Sequence, residues 1–180
     1  MKSVLFLAPL VFVNVWHGMV IALARVMNGS FASISESALL RGMTLWTHRL
    51  IHVIGAVCFM AFAAVSFRSI GFCSVVLFVA AVFDIAQAVY LSEKTDHSPM
   101  NLRDTHQLFA WMMAAGYLLF CVFYAVSAQV HAGLVAVYIT MLALIAGGNK
   151  LSHFKHFWAA QMLFFVLTSL LMAYSYRFFA

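Results

Sequence analysis

The chain has 180 residues, of which 66% are hydrophobic and only 8% are charged. Soluble globular domains carry about 25% charged residues, and the mean hydropathy here is +1.01. This composition excludes an ordinary soluble domain and predicts a polytopic membrane protein. The net charge of +5 does not indicate nucleic-acid binding, because the basic residues are scattered at the ends of apolar runs, as is usual in membrane proteins. We therefore expect the lipid bilayer, and not nucleic acid, as the partner of this chain.

Six apolar runs follow one another along the sequence, each about 18–24 residues long. Such a run crosses a hydrocarbon core of about 30 Å, and in lipid only a helix satisfies the backbone of a single run internally. The sequence therefore predicts an all-α fold, a polytopic transmembrane bundle of six helices that forms a single domain over residues 1–180. The predicted spans are about 3–26, 45–67, 72–91, 104–127, 131–148 and 157–178.

The first predicted loop, residues 28–44, is the longest polar connection. Within it, Ser33-Ile34-Ser35-Glu36 has the spacing of a capping box and precedes the apolar Ala38-Leu39-Leu40. We expect a short interfacial helix in this loop.

Basic residues are distributed unequally between the two sides of the predicted bundle. The side with loops 1, 3 and 5 carries Arg25, Arg41, Arg49, Lys94, Arg103, Lys150 and Lys155. The side with both termini carries only Lys2, Arg68 and Arg177. Because Lys and Arg are enriched in cytoplasmic loops, we expect loops 1, 3 and 5 in the cytoplasm and the termini on the opposite side. The compactness of the chain favours a bacterial inner membrane.

Histidines concentrate toward the side of loops 1, 3 and 5. His48 and His52 lie four residues apart beside Arg49, a spacing that places both rings on one face of a helix. At a rise of about 1.5 Å per residue, His17, His52 and Asp84 lie at a matched depth of about 10–12 Å on three consecutive spans. Ionisable groups inside a membrane are costly and usually face the bundle interior. We therefore expect these three side chains to converge.

The histidines and the buried carboxylate on this side are the candidate ligands of a metal or haem. The ligand set is His17, His52, Asp84, His106, His153 and His156. A supporting or interfacial set consists of His48, Arg49, Gln87 and Asp104. Within it, His48 and Arg49 fall at the predicted water boundary, where anchoring accounts for them. No motif identifies a catalytic residue or shows whether the protein is an enzyme.

Three functions compete for this cluster, and the first is a metal site. Neutral imidazoles and a carboxylate suit Zn or Fe. A metal with one open position acts on water or substrate, so a redox or lipid-modifying metalloprotein with a lipid-like substrate is one expectation. The sequence contains no HExxH motif.

The second function is electron transfer through a b-type haem. Paired histidines from facing helices are suitable axial ligands, the abundant Phe, Trp and Met residues would wall the macrocycle, and quinone would be a natural partner.

The third function is transport. Histidine titrates near neutral pH, so the same His/Asp cluster suits a proton- or cation-coupled transporter or channel, formed by a homo-oligomer of this small bundle. A non-catalytic subunit of a larger membrane complex is a further alternative. In that case Asp84 would be paired with an Arg or a His for structural reasons only.

Overall fold

The computed structural model describes residues 1–28, 34, 42–91, 100–151 and 157–178. Within this part of the chain the backbone is helical apart from short turns, and it contains no strand. The six helices are α1 (Lys2–Asn28), α2 (Gly42–Ile70), α3 (Phe72–Tyr90), α4 (Met100–Ser127), α5 (Ala132–Leu151) and α6 (Phe157–Tyr176). The prediction of an all-α fold with these six helices is confirmed for the described residues.

Five of these helices are long and apolar enough to cross a membrane. Their apolar spans are Lys2–Leu23, Leu45–Ile70, Phe72–Tyr90, Thr105–Ser127 and Phe157–Tyr176. They are consistent with the predicted integral membrane protein, whereas the sidedness of the loops stays a prediction.

The apolar part of the helix α5 agrees with its predicted span, 131–148, to within one residue, but it is short for a membrane crossing. This part, Ala132–Gly148, is shorter than the other five spans. At about 1.5 Å per residue it measures about 25 Å, which is less than a hydrocarbon core of about 30 Å. The polar Asn149 and Lys150 continue the helix without extending its apolar length.

The helices pack in a chain of neighbours, with α2 on α3, α3 on α4 and α1 on α2. The helix α6 contacts α4, α1 and α5. Large rings fill the centre, where Phe6, Phe62, Phe120 and Tyr124 are buried together with Leu77. The outer faces expose large apolar side chains, as expected for helices that face lipid.

The packing of α3 against α4 depends on a glycine. A Cβ atom at Gly116 would lie 2.8 Å from the Cβ atom of Ala80, closer than two carbon atoms pack. Ala80 is one helical turn before Asp84, and Gly116 adjoins Tyr117. The small residues therefore set the separation between two helices that carry polar side chains into the bundle.

We expect Gly116→Ala to lower the free energy of unfolding by about 1–3 kcal/mol, because the added methyl group overpacks a close helix contact. Thermal unfolding of the protein in detergent measures the effect. Gly147→Ala is the matched control, since a Cβ atom there meets nothing within 4 Å. Equal stability of the two variants would contradict the close contact.

The predicted interfacial helix lies outside the described residues, except for Ile34. The side chain of Ile34 is buried, and its backbone N–H donates to Oε1 of Gln161 in α6 at 2.9 Å. The organisation of residues 1–180 as a single domain stays a prediction.

Candidate metal centre

Three buried histidines meet between α1 and α2. One ring nitrogen each from His17, His48 and His52 lies within 4.8 Å of the others. The exposed fractions of these residues are 1%, 2% and 3%. His48 and His52 lie one turn apart on α2, so both rings face the same neighbour. The result is a cluster of ring nitrogens inside the bundle, which we call the histidine triad.

A hydrogen-bonded chain links this triad to α3. The Nε2 atoms of His17 and His52 are 3.1 Å apart, and Nδ1 of His52 is 2.6 Å from Oδ1 of Asp84. An ionised carboxylate only accepts, so toward such a group Nδ1 of His52 is the donor. The three side chains expected to converge from matched depth therefore do meet.

Two further donors surround the Asp84 carboxylate. The hydroxyl of Tyr117 donates to Oδ2 at 2.9 Å, and Nε2 of Gln87 donates to Oδ1 at 3.2 Å. A buried carboxylate without partners is costly, and together with His52 these donors compensate that cost. We expected Asp84 among the ligands. The structure places it against Nδ1 of His52, and its role as a ligand stays a prediction.

His48 is the largest departure from the sequence-based expectation. Its ring centroid lies 5.5 Å from that of His17 and 4.4 Å from that of His52. The sequence places His48 at the predicted water boundary and in the supporting set, whereas the structure buries it among the described helices and groups its ring with those of His17 and His52. Position along a helix indicates depth, but only the neighbouring helix determines whether a side chain is covered.

Two nitrogens of the triad lack partners. Nδ1 of His17 and Nδ1 of His48 are buried and have no hydrogen-bond partner among the described residues. Buried polar atoms are nearly always satisfied by protein, water or an ion. The triad therefore has unused capacity to bind a ligand.

The spacing of the triad is close to that of a zinc site. Two nitrogens on a tetrahedral zinc ion, each about 2.0–2.1 Å from the metal, lie about 3.3–3.4 Å apart. One ring nitrogen from each residue of the triad lies within 4.8 Å of the others, so a zinc ion would require a closure of at most about 1.5 Å. Among the described residues the triad offers three nitrogens, one fewer than the four ligands of a closed structural zinc site.

The other predicted site residues that the structure describes lie outside the triad. His106 is buried, and its Nδ1 donates to the backbone oxygen of Gln87 at 2.9 Å. Arg49 donates to the backbone oxygen of Leu91, at the end of α3. Its guanidinium lies 5.3 Å from the ring centroid of Trp46. Both residues thus fasten α2 and α4 to the end of α3.

The remaining predicted site residues are two ligands and one supporting residue, and their side chains are not among those that the structure describes. His153, His156 and the side chain of Asp104 lie outside the described residues. Their proposed roles stay predictions.

Tyr117 is the residue of this network that the sequence-based argument missed. A tyrosine in the middle of an apolar span carries one hydroxyl that needs a partner in lipid, and that was the available signal. The sequence alone does not show which helix supplies the partner.

A partly enclosed cavity of about 40 Å³ lies beside this network, between α1 and α6. It exceeds the roughly 10–15 Å³ that one water molecule needs. Three of the lining residues, His52, Asp84 and Tyr117, belong to the hydrogen-bonded network, and we call these three the floor of the cavity and the other lining residues its walls. Its walls are Pro9, Leu10, Val13, Phe59, Phe164, Phe165, Thr168, Ser169 and Met172.

Comparisons with protein-family models, with curated proteins and with solved structures gave no match. The fold and the site define an all-helical protein, consistent with a membrane bundle, that carries a buried histidine triad compatible with a metal site. The function is inferred from that site, because a helical bundle by itself supports many functions.

Proposed function

We propose that this protein is an integral membrane metalloprotein in which His17, His48 and His52 bind one divalent transition-metal ion, Zn²⁺ or Fe²⁺. One observation carries the proposal: three buried ring nitrogens from two adjacent helices lie within 4.8 Å of one another. Imidazole is a suitable ligand for both metals.

The environment of His52 supports this assignment. Histidines that bind metals almost always donate their second ring nitrogen to a carboxylate or carbonyl, which holds the tautomer and raises the basicity of the ligating nitrogen. His52 does so toward Asp84 at 2.6 Å. The carboxylate also supplies negative charge near an ion that three neutral imidazoles leave uncompensated.

A centre with the three described histidines as its only protein ligands would keep one tetrahedral position for water or substrate, as catalytic zinc sites do, whereas structural zinc sites are closed by four protein ligands. When bound there, zinc supplies an activated water or a polarised carbonyl, and iron supplies redox chemistry. The residues of the chain hold and orient the ligands and keep the site inside the bundle. The substrate would be a lipid-like molecule, because the adjoining cavity lies among apolar side chains.

A small ion fits the triad better than haem does. Two axial histidines of a haem have the iron and the plane of the porphyrin between them. The rings of His17 and His52 are in direct contact, with their Nε2 atoms 3.1 Å apart. Haem binding at this pair would require α1 and α2 to separate.

Proton transfer is a second candidate function, and the hydrogen-bonded chain favours it. Tyr117, Asp84, His52 and His17 are joined by contacts of 2.9, 2.6 and 3.1 Å across α4, α3, α2 and α1. Chains of histidine and carboxylate inside membranes serve as proton relays.

Elemental analysis and an absorption spectrum of the purified protein test these functions. We expect about one zinc or iron ion per chain, as a single tri-histidine site requires, and no Soret band. A Soret band would show that the protein binds haem, and the proposal of a small metal ion would then be wrong. A protein without metal or haem would overturn the proposal, and loss of proton flux into liposomes in His52→Ala would then select proton transfer.

A further inference from the structure

The cavity beside Asp84 lies in a seam between α1 and α6 that few contacts close. Polar contacts bracket this seam. Ser3 Oγ is 2.9 Å from the hydroxyl of Tyr176, and Nδ2 of Asn14 donates to Oγ of Ser169 at 2.8 Å. The cavity lies between them along α1, at residues 9–13. The cavity is thus far from both ends of α1, at a level of the helix that is expected to lie in the hydrocarbon core.

Apart from Thr168 and Ser169, whose hydroxyl oxygens are hydrogen-bonded to Tyr138 and Asn14, the walls of the cavity are apolar, and apolar walls do not by themselves select a ligand from the membrane. Lipid tails are as apolar as leucine, so an alkyl chain gains little when it exchanges lipid for protein. A polar group dissolved in hydrocarbon, in contrast, gains a hydrogen bond if the protein offers one. Selection therefore depends on the polar floor.

The floor offers acceptors. The Tyr117 hydroxyl uses its hydrogen on Asp84, which leaves lone pairs on the phenol oxygen. The Asp84 carboxylate takes three hydrogen bonds and has about four lone-pair sites. Both ring nitrogens of His52 are engaged. A ligand that fits these acceptors donates one hydrogen bond. It carries no charge, since a charged group at this depth is costly.

We propose that the cavity binds the hydroxyl end of a membrane-dissolved long-chain alcohol. The hydroxyl donates to the Asp84 carboxylate or to the Tyr117 oxygen, and the chain runs outward along the seam between α1 and α6. The cavity of about 40 Å³ holds only the polar end, and the rest of the chain stays in lipid. The proposal names the substrate class of the metal centre and rests on the proposed function, because His52 belongs to both the triad and the cavity floor.

Photolabelling in phosphatidylcholine liposomes tests this binding. The probe is hexadecanol with a diazirine near the hydroxyl, and its methyl ether is the matched control without a donor. We expect labels at residues 9–13 of α1 and 164–172 of α6. The alcohol should label about tenfold more strongly than the ether, the preference expected for one hydrogen bond to a charged group. Equal labelling by both probes would overturn the proposal.

A pair of variants locates the binding within the seam. Val13 lines the cavity, whereas Val15 is 55% exposed on the same helix. We expect labelling of Val13→Phe by the alcohol to fall to the level of the ether, because the ring fills the cavity, and Val15→Phe to label as the unchanged protein does. Equal labelling of the two variants would contradict the site. If Val13→Phe does not fold, the ratio of alcohol to ether labelling on the unchanged protein decides alone.

Metal content measured on the same samples separates this inference from the proposed function. Selective labelling of a protein that binds no metal would support the alcohol site and overturn the metalloprotein. Bound metal with equal labelling by both probes would support the metalloprotein and overturn the alcohol site.

Discussion

Replacement of any one histidine of the triad is expected to abolish stoichiometric metal binding. Loss of a partner behind a ligand costs about 10–100-fold in metal affinity, so loss of a ligand itself should cost about 100-fold or more. The decisive variant is His48→Gln, since His48 joins the triad only through the tertiary structure. His17→Gln and His52→Gln should behave in the same way. Metal retained per chain after dialysis against a graded chelator measures the loss.

His131→Gln is the matched control for this series. His131 is exposed and its Nδ1 accepts from the backbone N–H of Gly133 at 3.1 Å, outside the triad. This variant should retain metal as the unchanged protein does, and helical circular dichroism should be the same for all four variants. Full metal retention by His48→Gln would remove His48 from the site and contradict a three-histidine centre.

Asp84→Asn is expected to weaken metal binding by about 10–100-fold without abolishing it. The amide is a weaker acceptor than the carboxylate, so Nδ1–H of His52 is held less firmly and the tautomer that presents Nε2 is less favoured. The chelator series that measures the histidine variants also measures this change. The result separates two roles of Asp84. If Asp84 is a direct ligand, Asp84→Asn should lose metal binding as completely as His52→Gln does. If Asp84 only orients His52, metal binding should be weakened but not lost.

Tyr117→Phe is the companion variant for Asp84→Asn. It removes the donor to Oδ2 and leaves the contact between His52 and Asp84 intact. We expect a smaller loss of metal affinity than in Asp84→Asn. An equal loss would show that the whole network around the carboxylate, and not its contact with His52, holds the ligand.

Much of the fold was predictable because the bilayer imposes a simple condition on sequence. A segment that crosses lipid must be apolar over a set length and helical, and both properties are local. The helices α1 to α4 and α6 accordingly match predicted spans to within a few residues. The apolar part of α5, Ala132–Gly148, also agrees with its predicted span, while the helix continues through the polar Asn149 and Lys150 to Leu151.

The convergence of His17, His52 and Asp84 was also predictable. Depth in a helix grows by a constant rise per residue, so groups at equal depth on adjacent helices can be recognised from spacing alone. Whether such groups face one another was an inference from the cost of ionisable groups in lipid. The contacts of 3.1 and 2.6 Å agree with it.

The sequence by itself determined the apolar helices and the depth of the polar residues, because helix rise and the hydrophobic requirement of lipid act along one chain segment at a time. Only the tertiary structure decided the composition of the site. It buried His48 against His17, added Tyr117 from α4 and placed Asp84 against Nδ1 of His52. Those outcomes depend on how each helix is rotated about its axis and which neighbour covers its face, and rotation is set by packing between segments distant in sequence.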